Sequence, residues 1–99
     1  MFGRNFEFEW DPSKASTNLR LHGIRFEEAA DCFDDPYAAI FPDEWHSDDE
    51  PREILIGYSN KNRLLFVSFT QRAPRRIRLI GARRADAQER QWYDRGELE

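Results

Sequence analysis

Leu64-Leu-Phe-Val-Ser-Phe-Thr-Gln-Arg-Ala-Pro-Arg-Arg-Ile-Arg-Leu-Ile-Gly-Ala-Arg-Arg84 is the stretch that decides the fold. The apolar run Leu64–Thr70 predicts a long strand buried on both faces. Ala73-Pro74 predicts a turn, Arg76–Ala82 a further strand, and Arg83–Arg95 a terminal helix. Strand side chains alternate, so Leu65, Val67 and Phe69 share one face and Ser68, Thr70 and Arg72 the other. On the following strand the same rule groups Arg76, Arg78, Ile80, Ala82 and Arg84 against Arg75, Ile77, Leu79, Gly81 and Arg83. Two adjacent strands thereby project several guanidiniums with hydroxyls among them.

Working outward, Glu53–Ser59 predicts the preceding strand and Asn60-Lys-Asn62 its turn. Phe6-Glu-Phe-Glu-Trp10 alternates apolar and charged residues, the pattern of a half-buried strand. Asp11-Pro12 is an N-cap followed by proline at the first helical position, and Gly23 suits the helix end. Phe26–Phe33 predicts a second helix closed by Asp34-Asp35-Pro36, Tyr37–Phe41 is β-prone, and Pro42–Pro51 is an acidic loop. The order β-α-α-β-β-β-β-α predicts one α+β domain over residues 1–99. Its expected form is an antiparallel sheet with two N-terminal helices and a C-terminal helix, the helices on one face.

Charge is divided along the chain. Met1–Asn62 holds 6 Lys plus Arg against 14 Asp plus Glu, a net of −8, whereas Arg63–Glu99 holds 9 against 5, a net of +4. All nine cations of the second part are arginine. Arginine offers a planar fork of donors that binds phosphate bidentately, and a basic face is the footprint of a nucleic-acid binder. Solvent-facing arginines that keep a sheet soluble are the plainer alternative. The single cysteine, Cys32, cannot form an internal disulfide, no apolar run approaches the ~20 residues of a membrane span, and the N-terminus has no signal-peptide pattern. These features predict a cytoplasmic protein with no membrane partner.

Candidate chemical groups are few. His22 closes the first helix, where a capping or packing role suits it better than that of a catalytic base, which stays open. His46 stands in the acidic loop beside Trp45 and Asp48, but neither it nor Asp43, Asp48, Asp49 and Glu50 has metal-ligand spacing, so no metal site is expected. Cys32 suits buried packing better than nucleophilic attack. Trp10 could stack on a base, but a tryptophan ending an amphipathic strand is more often core.

Phe8-Glu-Trp-Asp-Pro-Ser-Lys14, Asn18-Leu19 and His22-Gly-Ile-Arg-Phe-Glu-Glu-Ala29 resemble the opening of the BrnT toxins. Phe33-Asp-Asp-Pro36, Thr70-Gln-Arg72 and Ile77-Arg-Leu-Ile-Gly-Ala-Arg-Arg84 continue the likeness in order. The resemblance implies a type II toxin–antitoxin toxin with a RelE-like ribonuclease fold, held inactive by a BrnA-like ribbon-helix-helix antitoxin. It further implies a 2:2 complex that binds promoter DNA. Its site chemistry maps onto Thr70, Arg72 and Arg83, with Trp10, Lys14 and His22 as further candidates. The chain departs from the pattern at Gly81, where the family commonly has serine. The turn Ala73–Arg76 is a residue longer than usual, which is expected to move Arg72 relative to Arg83.

The resulting expectation is an RNA-cleaving enzyme that needs no metal or cofactor, because the RNA supplies its own 2′-hydroxyl. Arg72 and Arg83 would stabilise the phosphorane, Thr70 would orient it, and His22 or Lys14 would serve as base. Trp10, Arg76, Arg78 and Arg84 would bind substrate. Two alternatives remain open at this level: a non-enzymatic nucleic-acid-binding module, and a poison of the same fold directed at another target such as DNA gyrase.

Overall fold

The computed structural model describes residues 6–46 and 50–96. Along the chain it forms β1 (Glu7–Glu9), α1 (Pro12–His22), α2 (Phe26–Asp31), β2 (Ala39–Pro42), β3 (Glu53–Tyr58), β4 (Leu64–Ala73), β5 (Arg76–Arg84) and α3 (Ala87–Arg95). Short 3₁₀ turns lie at Cys32–Asp34 and Glu44–His46. This is the predicted α+β order.

Local chemistry explains the helix ends. Asp11 accepts from the Ser13 N–H at 2.8 Å, Pro12 occupies the first turn, and Gly23 closes α1 at φ 70°. In α3 the Asp86 side chain accepts from Glu89 N–H, and the Glu89 side chain from Asp86 N–H, both at 2.9 Å. That reciprocal cap places the helix start after Asp86, not at Arg83 as the sequence suggested. Arg83 and Arg84 instead stay in β5, paired with Phe66 and Leu65.

The five strands run in the order β1-β5-β4-β3-β2. β2 to β5 form the expected antiparallel meander. β1 corrects the all-antiparallel expectation: it pairs parallel with β5, Glu7 beside Arg76 and Glu9 beside Arg78. α1 and α2 follow β1 and cover one face, where Ile24, Phe26, Phe33, Leu65, Val67, Phe69, Ile77 and Leu79 form the main core. α3 packs on the opposite face, its Trp92 and Tyr93 against Ile54, Ile56 and Leu64. Helices therefore lie on both faces, and α3 covers only one end of its own. Cys32 is fully buried, and burial pushes its thiol far above the usual range, as suits a packing residue. No helix among the described residues is long and apolar enough to cross a membrane.

Two irregularities interrupt the β4–β5 ladder. Ser68 faces Gly81 but Phe69 faces Leu79, which leaves Ile80 extra on β5. Gln71 faces Ile77 but Ala73 faces Arg76, which leaves Arg72 extra on β4. Each extra residue inverts the alternation beyond it. Ala82 accordingly joins Ile77 and Leu79 in the core, while Arg83 crosses to the face of Phe66, Ser68, Thr70 and Arg78. Arg84 moves the other way, opposite Leu65.

Asn18 secures this break. β1 pairs with β5 only as far as Arg78, so the Ala82 edge has no strand beside it. The buried Asn18 amide substitutes for one: it accepts from Ala82 N–H at 3.0 Å and donates to Ala82 O at 2.9 Å and Ile24 O at 3.0 Å. Asn18→Ala is expected to destabilise the fold by about 2–3 kcal/mol, since three buried backbone groups lose their partner. Asn18→Asp should be worse, because a carboxylate would face two carbonyls. Thermal melting checks both; an unchanged Tm for either would mean that the edge is held elsewhere.

Candidate functional site

The part of the sheet that α3 leaves uncovered carries two adjoining clefts. The first, about 630 Å³, is floored by Ile54 and Phe66, flanked by Phe41 and Trp92, and rimmed by Trp45, His46, Arg52 and Arg83. The second, about 230 Å³, is lined by Lys14, His46, Glu50, Arg52, Thr70, Arg78 and Ile80. His46 and Arg52 border both, so the two form one continuous surface.

Arg83 is the most firmly held cation there. Its two terminal nitrogens grip Glu89 at 2.9 and 2.8 Å, and one also donates to Arg84 O at 3.1 Å. Its guanidinium carbon lies 4.0 Å from the Phe66 ring centroid. The hydrogen bonds to Glu89 hold its pKa above the ordinary arginine value. Glu89 is itself fixed by the α3 cap, so the start of α3 sets the orientation of Arg83. A guanidinium prearranged in this way has little reorganisation left when it meets a developing anion.

Thr70 supplies the second notable group. The residue is 3 % exposed, and its hydroxyl has no hydrogen-bond partner among the described residues. Buried hydroxyls are normally satisfied, so one that borders a cleft with Lys14, Arg52 and Arg78 is suited to an incoming acceptor oxygen. Arg78 is paired with Glu9 at 3.0 Å and Arg72 with Glu50 at 2.9 Å. His46 Nδ1 lies 3.0 Å from Asp43 Oδ2. Among the described residues no group of three or more His, Cys, Asp or Glu is arranged to hold a metal ion.

Residues 10–89 match the family model described as the ribonuclease toxin, BrnT, of type II toxin–antitoxin systems. The chain belongs to the BrnT family. It is a ribonuclease toxin of a type II toxin–antitoxin system, with RNA as substrate and a protein antitoxin as partner. The crystal structure of the Brucella abortus ribonuclease toxin BrnT matches with a TM-score of 0.64 at 24 % identity, covering 82 % of this chain and 97 % of that one, and so shares its fold. No curated protein matches the chain.

Within this BrnT-family fold the residues singled out in the sequence separate into groups. Lys14, Thr70 and Arg78 meet in the second cleft, and Arg83 lies in the first. Arg72 occupies the β4 bulge at the margin, tied to Glu50. Arg76 stands at the strand end, 3.8 Å from both Glu7 and Glu9. Arg84 is turned away from the clefts, to the sheet face that α1 and α2 cover, opposite Leu65. Trp10 packs edge-on against Phe26, with ring centroids 5.8 Å apart, as part of the main core. His22 borders a separate recess with Ser13, Thr17 and Leu21, which meets the second cleft only through Lys14 and Ile80. Trp45, His46, Arg52, Ser68 and Glu89 were not anticipated as site residues. A tryptophan and a histidine adjoining in a polar loop were the available signal for the first two; the acidity of that loop concealed it. Asp48 and Asp49 lie outside the described residues.

Proposed function

We propose that the chain is a metal-independent endoribonuclease whose scissile phosphate sits where the two clefts meet. The observation that carries this reading is the unpartnered, buried Thr70 hydroxyl bordered by Lys14, Arg52 and Arg78, with Arg83 fixed on the same sheet face. Thr70 donates to a phosphate oxygen, Arg78 exchanges Glu9 for the phosphate, and Arg83 faces the charge that develops on the phosphorane. The substrate's 2′-hydroxyl attacks its own phosphorus, and the 5′-oxygen of the next nucleotide leaves. Lys14 and His46, both on the second cleft, handle the two protons. Arg72 steadies the flanking strand once Glu50 releases it, and a strand passing Lys14 reaches His22.

The family assignment favours cleavage over a non-enzymatic module or a gyrase poison. The antitoxin is read as a BrnA-like ribbon-helix-helix protein that lays an acidic or amphipathic segment over this face. The same reading gives a 2:2 complex, repression of its own promoter and a cytoplasmic location. Charge complementarity supports the covering mode, because Arg72, Arg76, Arg78 and Arg83 already hold carboxylates of this chain.

A cleavage assay with purified toxin tests the chemistry. Cleavage is expected to persist in excess EDTA and to leave a 2′,3′-cyclic or 3′-phosphate. A 2′-deoxy nucleotide at the cut site should block it, and the co-purified antitoxin should suppress it. Loss of activity on chelation, or cutting of the 2′-deoxy substrate, would remove the 2′-hydroxyl mechanism.

A further inference from the structure

Trp45 is 91 % exposed, whereas Trp10 and Trp92 are part-buried against the two cores. Single exposed apolar residues are ordinary, but an exposed indole that lines a cleft together with Phe41, Ile54, Phe66 and Trp92 extends an apolar patch, and such patches mark binding sites. Its surroundings are chemically divided. Ile54 and Phe66 make an apolar floor, and Phe41 and Trp92, edge to face at 5.9 Å, make an apolar side. Arg52, Arg83 and His46 supply the cationic and hydrogen-bonding part of a rim that also holds Asp43 and Glu44, and His46 and Arg52 continue into the Thr70 cleft. A ligand that matches both parts is flat and aromatic at one end and anionic at the other. A nucleotide of single-stranded RNA has that constitution.

We infer that the first cleft is a nucleobase pocket in which Trp45 stacks on a base of the substrate next to the cut phosphate. The inference rests on the proposed position of that phosphate in the adjoining cleft, since His46 and Arg52 border both. Trp45 is then a substrate-binding residue that selects an unpaired base, because a base within a duplex cannot present its face to the indole. Stacking acts on every base with a π-face, so the pocket selects strandedness more than sequence. The polar rim adds the hydrogen-bonding groups by which any preference among bases would arise.

The test uses an uncleavable 2′-O-methyl RNA hexanucleotide and tryptophan emission. Binding to the wild type should quench the exposed indole. Trp10→Phe, in the core on the opposite face of the sheet, should keep that quench, and Trp45→Ala should lose it. Trp45→Ala should weaken binding about tenfold, with a similar rise in KM for cleavable RNA and unchanged kcat, and Trp45→Phe should recover part of the loss. An exposed position makes misfolding an unsuitable explanation, and a melting curve checks that point. Unchanged affinity and KM in Trp45→Ala, while Thr70→Val and Arg83→Ala abolish cleavage, would overturn the base pocket and leave the proposed function standing. Unchanged cleavage in all three variants would remove the proposed function itself. If Trp45→Ala spared RNA binding but released the toxin from its antitoxin, the cleft would belong to the antitoxin and the inference would fall.

Discussion

Arg83→Ala is expected to lower the cleavage rate by at least about 10²-fold, the scale of losing one prearranged electrostatic stabiliser. Arg84→Ala, one residue further on, should leave the rate nearly unchanged. The contrast follows from the extra residue at Ile80, which turns Arg83 onto the cleft face and Arg84 away from it. Regular alternation would have grouped Arg84 with Arg76 and Arg78, so this pair of variants tests the bulge as well as the chemistry. Arg83→Ala also strands the buried Glu89 carboxylate, which keeps only the Asp86 N–H. A stability loss of about 1–3 kcal/mol should accompany it. The double variant Arg83→Ala/Glu89→Gln removes the buried charge, so activity and melting can be separated: stability should recover and cleavage should not. Arg83→Lys keeps the charge but loses the fork, and it too should be impaired. Equal, small effects of Arg83→Ala and Arg84→Ala would point to a diffuse basic surface instead of a site.

The parts of the fold that were legible in the sequence are those fixed by neighbours along the chain. Asp11-Pro12 and Gly23 bound α1, and the apolar run from Leu64 became β4. The parts that were not legible depend on distant residues. The break at Ile80 is stabilised by Asn18, 64 positions before Ala82, and the break at Arg72 is tied to Glu50. Neither partner can be named from the strand itself, and each break inverts which side chains face the clefts. The parallel edge of β1 has the same origin, since the crossover through α1 and α2 sets it. For the candidate site, the sequence singled out Thr70 and Arg83, which the fold places on the cleft face, but not Glu89. Glu89 reads locally as half of a capping box, and only the fold adds its grip on Arg83.

The charge division of the sequence also dissolves on folding. Carboxylates from the acidic part return to the arginines of the basic part: Glu9 to Arg78, Glu50 to Arg72 and Glu28 to Arg63. On the cleft face these partners are exposed enough to be exchanged for phosphate, at little cost in water. If the proposed site is right, the carboxylates on the cleft face, Glu9 and Glu50, give way to phosphate, and RNA binding should be strongly salt-dependent.

Arg63 is the exception, and Arg63→Ala is expected to give the largest stability loss of any arginine removal. The Glu28 side chain is 3 % exposed. It receives Arg63 Nε at 2.9 Å, a second bond from Arg63 Nη2, and Ser59 Oγ at 2.7 Å, joining α2 to the β3–β4 turn. Without Arg63 the carboxylate would remain buried with the Ser59 hydroxyl alone among these partners. Stranding it costs on the order of 3 kcal/mol by the scale for breaking a buried ion pair. In a domain of this size that lowers Tm by roughly 10 °C or more. The sign of the pH dependence follows from the same contacts. The hydrogen bonds from Arg63 hold the Glu28 pKa below its ordinary value of 4.5. The pair therefore stabilises the fold fully above that pH, and its contribution is lost as pH falls through the lowered folded value. Without Arg63, burial makes Glu28 easier to protonate, so the variant's deficit should narrow on acidification below pH 4.5. Melting curves of wild type and Arg63→Ala from neutral pH downward measure that gap, and a gap that did not change with pH would show that Arg63 acts through packing of its stem and not through its charge.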